Sequence, residues 1–207
     1  MSTRNPFFDI SLLPYQAPRF DEINDSHYRP AFDEALRQKR ADIDAIVAQT
    51  VAPDFDNTVL ALEKSGAMLA RVSSVFFAMT SAHTNARLQE LEEQFSTELA
   101  ALANDIWLND TLFSRVESVW QDRAALDAES RRLVEVTYQR FVLAGARLND
   151  DEKAELKALN TEAASLISQF NQRLLAADNA GGLVVDYVHQ LEGLSADEIA
   201  TAAQAAA

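Results

Sequence analysis

The chain has 207 residues, of which 48% are apolar and 24% charged, a composition that can build a buried core. With 18 Lys and Arg against 32 Asp and Glu, the net charge is −14, which disfavours nucleic acid and anionic membranes as partners. The absence of cysteine excludes disulfides and thiolate metal ligands and fits a cytoplasmic location. The sequence contains no run of about 18 apolar residues, the length needed to span a membrane.

Proline and glycine are distributed in a way that permits long helices. All five prolines precede residue 54, and the whole chain has only five glycines. Because both residues interrupt helices, we predict an all-α fold, an elongated bundle of about six long antiparallel helices. Residues 1–25 are predicted to form an extended arm, 26–180 a helical domain, and 181–207 an extended segment followed by the start of a truncated helix.

The first three helices follow from caps and from apolar residues spaced by three and four. The first is predicted to begin at a cap formed by Asp25 or Ser26. The second is predicted to begin at Asp56 or Asn57, with an apolar stripe that continues past Gly66. We therefore interpret Gly66 as a point of close packing inside one helix. The third helix carries an apolar stripe consisting of Leu88, Leu91, Phe95, Leu99, Leu102 and Ile106.

Three further helices follow. The fourth begins near Asp110, and the fifth begins near Asp127 and ends near Gly145. Asn149 and Glu152 have the spacing of a capping box and start a sixth helix of roughly 28 residues, about 42 Å long. This length is typical of a helix that lies along a larger body. Its nearly heptad seam consists of Leu156, Leu159, Ala163, Leu166, Ile167, Phe170 and Leu174.

The C-terminal part has two features that look incomplete. LVVDYVHQL, residues 183–191, is predicted to be a short strand-like segment, yet no other segment of the chain resembles a partner strand. Ser195 and Glu198 have capping-box spacing and start a last helix, which has no glycine, basic residue or proline to end it. We expect the sequence to continue beyond residue 207.

The spacing of the three histidines does not match a zinc-binding motif. A zincin helix needs two histidines four residues apart, whereas His27, His83 and His189 are each more than fifty residues from the next. His27 is expected to be structural, and His83 to be a partly buried, hydrogen-bonded residue at a helix end, or alternatively a ligand-facing residue of a groove. Asp186 and His189 would lie on opposite faces of an extended segment. We assign no catalytic, cofactor-binding or metal-binding residue.

Acidic residues are abundant, but their arrangement does not indicate chemistry. They contain no inward Glu-x-x-His pair of the di-iron type, and we expect them to form solvated helix faces. The chain also has no Gly-rich phosphate loop and no Gly-x-Ser-x-Gly motif. The two main acidic runs are Glu90, Glu92, Glu93 and Glu98, and Asp150, Asp151, Glu152 and Glu155.

Several segments of the chain, in order, resemble a known enzyme family. They include NPFFDISLLPYQAPRFDEINDSHYRPAFDEAL, DFDNTVLALEKSG, SVFFAMTSAHTN, RLVEVTYQRFVLAGARL and LNTEAASLISQFNQRLL. Together they resemble the N-terminal region of the bacterial dipeptidyl carboxypeptidases (peptidyl-dipeptidases), which are thimet-oligopeptidase-like zinc metallopeptidases, and more distantly oligopeptidase A. The resemblance covers essentially the whole chain.

The resemblance implies an architectural role. These peptidases are mostly helical, with two lobes around a deep channel, and their zinc-binding His-Glu-x-x-His helix lies in the second half. Because that motif is absent here, we expect this chain to be inactive alone. Zinc and the oligopeptide substrates would then belong to the full-length parent, and the partner would be the missing C-terminal catalytic region.

A second hypothesis remains open. The chain could be a stand-alone helical module that binds peptides or regulates or oligomerises through exposed apolar surface. That surface is expected around Phe76, Phe77 and Phe170.

Overall fold

A computed structural model describes residues 5–181, 185 and 187–205. Within these residues every regular element is helical and there is no strand, which confirms the all-α prediction. Contacts divide the chain into two compact units, one ending at Gln169 and the other beginning at Phe170. The predicted domain boundaries at residues 25 and 180 stay a prediction.

The helices follow one another with short connections. A π-helical turn, Phe55–Leu60, leads directly into the second α-helix, and short 3-10 turns lie at Pro6–Phe8, Pro14–Gln16, Arg123–Ala125 and Val188–Leu191. The α-helices are α1 (Asp25–Val47), α2 (Ala61–Lys64), α3 (Ala67–Ala82), α4 (Ala86–Trp107), α5 (Asp110–Gln121), α6 (Ala128–Leu143), α7 (Asp150–Ala180) and α8 (Ala196–Ala205).

The later helix starts agree with the sequence because capping is a local interaction. The Asp127 carboxylate caps α6 by accepting from two backbone N–H groups. Asn149 and Glu152 bond reciprocally at 3.0 Å each, which confirms their capping box. The Ser195 N–H donates to Glu198 at 2.7 Å at the start of α8. These side chains satisfy N–H groups that have no partner within the helix.

The first two starts were placed wrongly by one to three residues. The α1 cap is Asn24, not Asp25 or Ser26, because the Asn24 side chain accepts from the Ser26 N–H at 3.1 Å. The second start is capped by Asp54, which accepts from the backbone N–H of Asn57 at 2.7 Å. In both places several adjacent Asp, Asn or Ser residues are competent caps, so composition alone does not select one.

The prediction that one helix runs through Gly66 is wrong. Gly66 has φ +75°, in the left-handed region, and separates α2 from α3. The apolar stripe continues from α2 into α3 because both helices pack against α1. On α1, the Asp42 carboxylate accepts a hydrogen bond from the Gly66 N–H at 3.1 Å. The close packing is real, since a Cβ on Gly66 would lie 2.6 Å from Cδ of Lys39. A left-handed residue at this contact favours glycine.

The core of the first unit combines aliphatic side chains with a set of aromatic residues that contact one another. Helix α1 packs against α3 and α4, and α5 packs against α6. The rings of Phe32 on α1 and Phe95 on α4 stack with centroids 3.8 Å apart, and Phe76 on α3 adds a ring 4.7 Å from Phe95. Trp120 and Tyr138 stack at 4.4 Å between α5 and α6. These ring contacts hold together the helices on which α7 packs.

The predicted strand-like segment 183–191 is only partly described. Residues 183, 184 and 186 lie outside the described residues, so the prediction cannot be assessed there. Residues Val188–Leu191 form a 3-10 turn, in which the Gln190 N–H donates to the Tyr187 carbonyl at 3.0 Å, so the strand prediction is wrong for that part. A strand needs a neighbouring strand for its backbone groups, whereas a turn satisfies them locally.

Candidate functional site

Residues 150–169 of α7 belong to the first unit and contact its other helices through several polar side chains. The Asn160 amide donates to Oδ1 of Asn104 at 2.7 Å, and Nδ2 of Asn104 lies 3.4 Å from the Lys157 carbonyl. The buried Lys153 pairs with Asp110 at the start of α5. Hydrogen bonds of this kind orient a helix precisely but add little net stability each.

Glu93 on α4 extends this polar contact along α7. Its Oε1 accepts from Ser165 Oγ at 3.1 Å and from Gln169 Nε2 at 3.2 Å. Ser168 on the same helix is buried. The side of α7 that contacts the other helices of the first unit is therefore largely polar.

The apolar residues of α7 lie on another side and are exposed. Leu159, Leu166 and Ile167 are 54%, 56% and 61% exposed, and Ala163 between them is exposed as well. Leu166 and the buried Ser168 are about 200° apart around the helix, at about 100° per residue. We call Leu159, Ala163, Leu166 and Ile167 the α7 apolar face, and it is the candidate functional site.

The polarity of α7 is the reverse of that of an ordinary surface helix. Such a helix normally turns its apolar stripe to the core and its polar side to water. Here the predicted seam is exposed, apart from Leu156, which is partly buried. In the second unit, Phe170, Leu174 and Leu175 of the same helix are also exposed. Exposed apolar side chains repeated on successive turns indicate a surface that binds a partner.

The aromatic surface predicted on α3 is mostly buried. Phe76 is fully buried and Phe77 packs partly buried against the core, so only Phe170 of the three predicted residues is largely exposed, at 65%. Phe76 and Phe77 lie in an aromatic cluster with centroids 5.2 Å apart. The periodicity of apolar residues in the sequence does not tell whether a stripe packs into the core or remains exposed for a partner.

Two of the histidines lie at helix ends. His27 has a structural role, as predicted, because its Nδ1 accepts the Asn24 N–H at 3.2 Å at the start of α1. His83 ends α3 as predicted, but it is exposed and not partly buried. His189 stacks with Tyr187, with centroids 5.7 Å apart, and Asp186 lies outside the described residues.

The acidic run on α4 does more than contact solvent. Glu98 receives two hydrogen bonds from Arg29 on α1, at 2.5 and 3.0 Å, and Glu93 holds α7. Burial raises the pKa of Glu92, and a hydrogen bond from Thr80 opposes this effect. The expectation of a solvated face is therefore wrong for these three residues.

The described residues contain neither a metal-type cluster nor a membrane-spanning helix. In that part of the chain, no three His, Asp or Glu side chains come close enough together to hold a metal ion. None of the helices described there is both long and apolar enough to cross a membrane.

The whole chain is similar in sequence to bacterial peptidases. It is 66% identical to the dipeptidyl carboxypeptidase of Salmonella typhimurium and 64% identical to that of Escherichia coli, in both cases over 100% of this chain and 30% of the relative. It is 24% identical to oligopeptidase A of Escherichia coli over 92% of this chain and 28% of that protein. No family model matches the chain.

These matches cover this chain completely and its relatives only in part. The chain spans about 30% of the length of the dipeptidyl carboxypeptidases that it matches. More than two thirds of those proteins therefore lies outside the match. The resemblance to the bacterial dipeptidyl carboxypeptidases that the sequence segments indicate is confirmed along the entire chain.

Proposed function

We propose that the chain is the N-terminal helical part of a cytoplasmic zinc metallopeptidase that removes dipeptides from the C-termini of oligopeptides. The observation that carries the proposal is the 66% identity, over the whole chain, to a dipeptidyl carboxypeptidase. Identity at this level over 208 aligned residues supports descent from the same kind of enzyme. The absence of cysteine is compatible with a reducing cytoplasm.

The zinc site of this enzyme would be supplied by residues outside this chain. Zinc in a peptidase is held by three protein ligands, typically two histidines and a carboxylate. The described residues do not fit this requirement, because no three His, Asp or Glu side chains come together in them and the His27 ring accepts the Asn24 N–H. No catalytic step is therefore assigned to any side chain of this chain.

The role of this chain would be to support the remainder of the enzyme. The α7 apolar face is exposed, and the relatives contain more than twice as much additional sequence that could cover it. Apolar surface left in water costs about 25 cal/mol per Å², so an adjoining domain that covers it is favoured. We propose that the catalytic region packs against this face, with oligopeptides as substrates of the assembled enzyme.

The proposal is tested by reconstitution. The 207-residue chain is mixed with the portion of the Salmonella dipeptidyl carboxypeptidase that lies outside the match, and dipeptide release from an N-blocked tripeptide is measured with zinc. We expect no turnover from the 207-residue chain, and turnover only when both parts are present. Turnover by the purified chain alone, or a failure of the two parts to bind while the intact relative is active, would contradict the proposal.

The alternative of a stand-alone module is favoured by the same exposed face. A helical module that oligomerises through the α7 apolar face would bury it against a second copy. Light scattering of the isolated chain over a concentration series distinguishes the two. A stable dimer that also excludes the catalytic portion would favour the module, whereas a monomer that binds this portion favours the peptidase.

A further inference from the structure

A cavity of about 360 Å³ opens between α1, α2, α4 and α6, within the first unit. This size is within the range of small-molecule sites. The cavity does not include the α7 apolar face, and the proposed peptidase function gives it no role. Its chemistry therefore has to be inferred from the side chains that line it.

The floor of the cavity is apolar. Leu62, Leu102 and Ile106 line it and are buried, and the ring of Trp107 lies beside them. Such a floor favours the apolar body of a ligand and offers no partner for a fully hydrated ion. A ligand that uses this cavity well would therefore have an apolar part.

Two cationic side chains, Lys39 and Arg140, also line the cavity. The half-buried Lys39 reaches in from α1, and its Nζ donates to the carbonyl of Ser65 at 3.2 Å and to the Ser65 hydroxyl. Gly66 makes this path possible, since any Cβ there would collide with the Lys39 chain. Arg140 reaches in from α6 with its guanidinium carbon 4.1 Å from the Trp107 ring centroid.

Neither cation is held in a direct ion pair in the described residues. In the part of the chain that the structure describes, neither Lys39 nor Arg140 forms an ion pair within 4 Å. Asp42 is engaged with the Gly66 N–H, and Glu63 lies exposed at the rim. Burial lowers the pKa of Lys39, the carboxylates of Asp42 and Glu63 oppose this, and Arg140 adds a smaller lowering effect. In a protein of net charge −14, the described residues thus place two cations, neither in an ion pair within 4 Å, at one cavity.

We propose that this cavity binds a small monocarboxylate with an apolar body, whose carboxylate lies between Lys39 and Arg140 and whose body lies on the Leu62, Leu102 and Ile106 floor. A carboxylate would accept charge-assisted hydrogen bonds from both cations. A neutral apolar ligand could use the apolar lining but would not form charge-assisted hydrogen bonds with the two cations. N-blocked apolar amino acids and short fatty acids share this chemistry.

The test uses a matched pair of probes on the 15N-labelled 207-residue chain. N-acetyl-L-leucine and its neutral amide differ only in the charge that the cavity is proposed to recognise, and hexanoate represents the fatty acids. We expect amide shifts at Leu102, Ala103 and Thr137, with at least about tenfold weaker binding of the neutral amide. Tighter binding of N-acetyl-L-leucine would indicate a peptide-derived ligand, and tighter binding of hexanoate a fatty acid.

Variants then locate the charge recognition. Lys39→Met and Arg140→Gln should each weaken N-acetyl-L-leucine binding about tenfold or more, whereas Lys64→Met, an exposed lysine outside the cavity, should leave it unchanged. Arg140 is exposed, so its variant should stay folded even if Lys39→Met does not. Equal binding of the acid and the amide, or probe shifts confined to the α7 apolar face, would overturn the proposal.

Discussion

The reversed polarity of α7 makes an unusual prediction about Leu166 and Ile167. We predict that replacing both with Gln leaves the free energy of unfolding of the isolated chain within about 0.5 kcal/mol of its original value. The two side chains are already 56% and 61% exposed, so little apolar burial is lost. Gln is as good a helix former as Leu and better than Ile, so α7 itself should not be weakened.

The same double variant should weaken assembly strongly. Fully burying a Leu or Ile side chain stabilises by about 1.5–3 kcal/mol, and more than half of that gain is unrealised at each position. If the catalytic portion covers both, the variant loses about 2–3.5 kcal/mol of binding free energy, or about 30- to 300-fold in affinity.

Urea unfolding followed by circular dichroism at low protein concentration measures the first effect, and titration with the catalytic portion measures the second. The matched control is Leu112→Ala on α5, where Leu112 is fully buried and the expected loss is about 2–5 kcal/mol. If the double variant destabilised the isolated chain as much as this control does, the α7 apolar face would be buried in solution and the reasoning would be wrong.

Three further predictions concern the first unit. Arg115→Met should cost about 3 kcal/mol or more in urea unfolding, because the buried guanidinium donates to five acceptors in the segment 49–58, whereas Arg132→Met at an exposed position should change little. Gly66→Ala should cost at least about 1–2 kcal/mol by the same assay, because Ala is strained at a positive φ and its Cβ would collide with Lys39; a loss below about 0.5 kcal/mol would contradict this. Lys39 should titrate below 10.5 by NMR. Between the lower pKa of Lys39 in the folded chain and its higher pKa in the unfolded chain, the unfolded chain binds more protons. The free energy of unfolding, relative to that of Lys39→Met, should therefore rise with pH through this interval. A Lys39 titration midpoint at or above 10.5 in the folded chain would contradict the account.

Local signals in the sequence identified most helices. The helix start near Asp127 and the capping box of Asn149 and Glu152 were predicted because such signals depend on residues within one turn. The exact start of α1 was missed because Asn24 stands beside two other competent residues. Gly66 was misinterpreted because an apolar stripe of period 3.6 can continue across a break when both helices contact the same neighbour.

The candidate site was only half predictable. The seam containing Leu159 and Leu166 was visible in the sequence, since it depends only on spacing. Its exposure was not visible, because periodicity identifies a face but does not say what covers it. The pair formed by Lys39 and Arg140 left no signal at all, since the two residues are a hundred positions apart and meet only through the packing of α1 and α6.

A single introduced cysteine tests most directly whether the α7 apolar face contacts the rest of a longer peptidase. The chain has no cysteine, so Leu166→Cys carries one polarity-sensitive fluorophore at the centre of the face, and Ala154→Cys carries it about 120° away on the same helix. When the catalytic portion is added, we predict a blue shift of emission from the label at position 166 and a much smaller one at position 154. An unchanged spectrum at position 166 in a mixture that forms the complex would contradict the account.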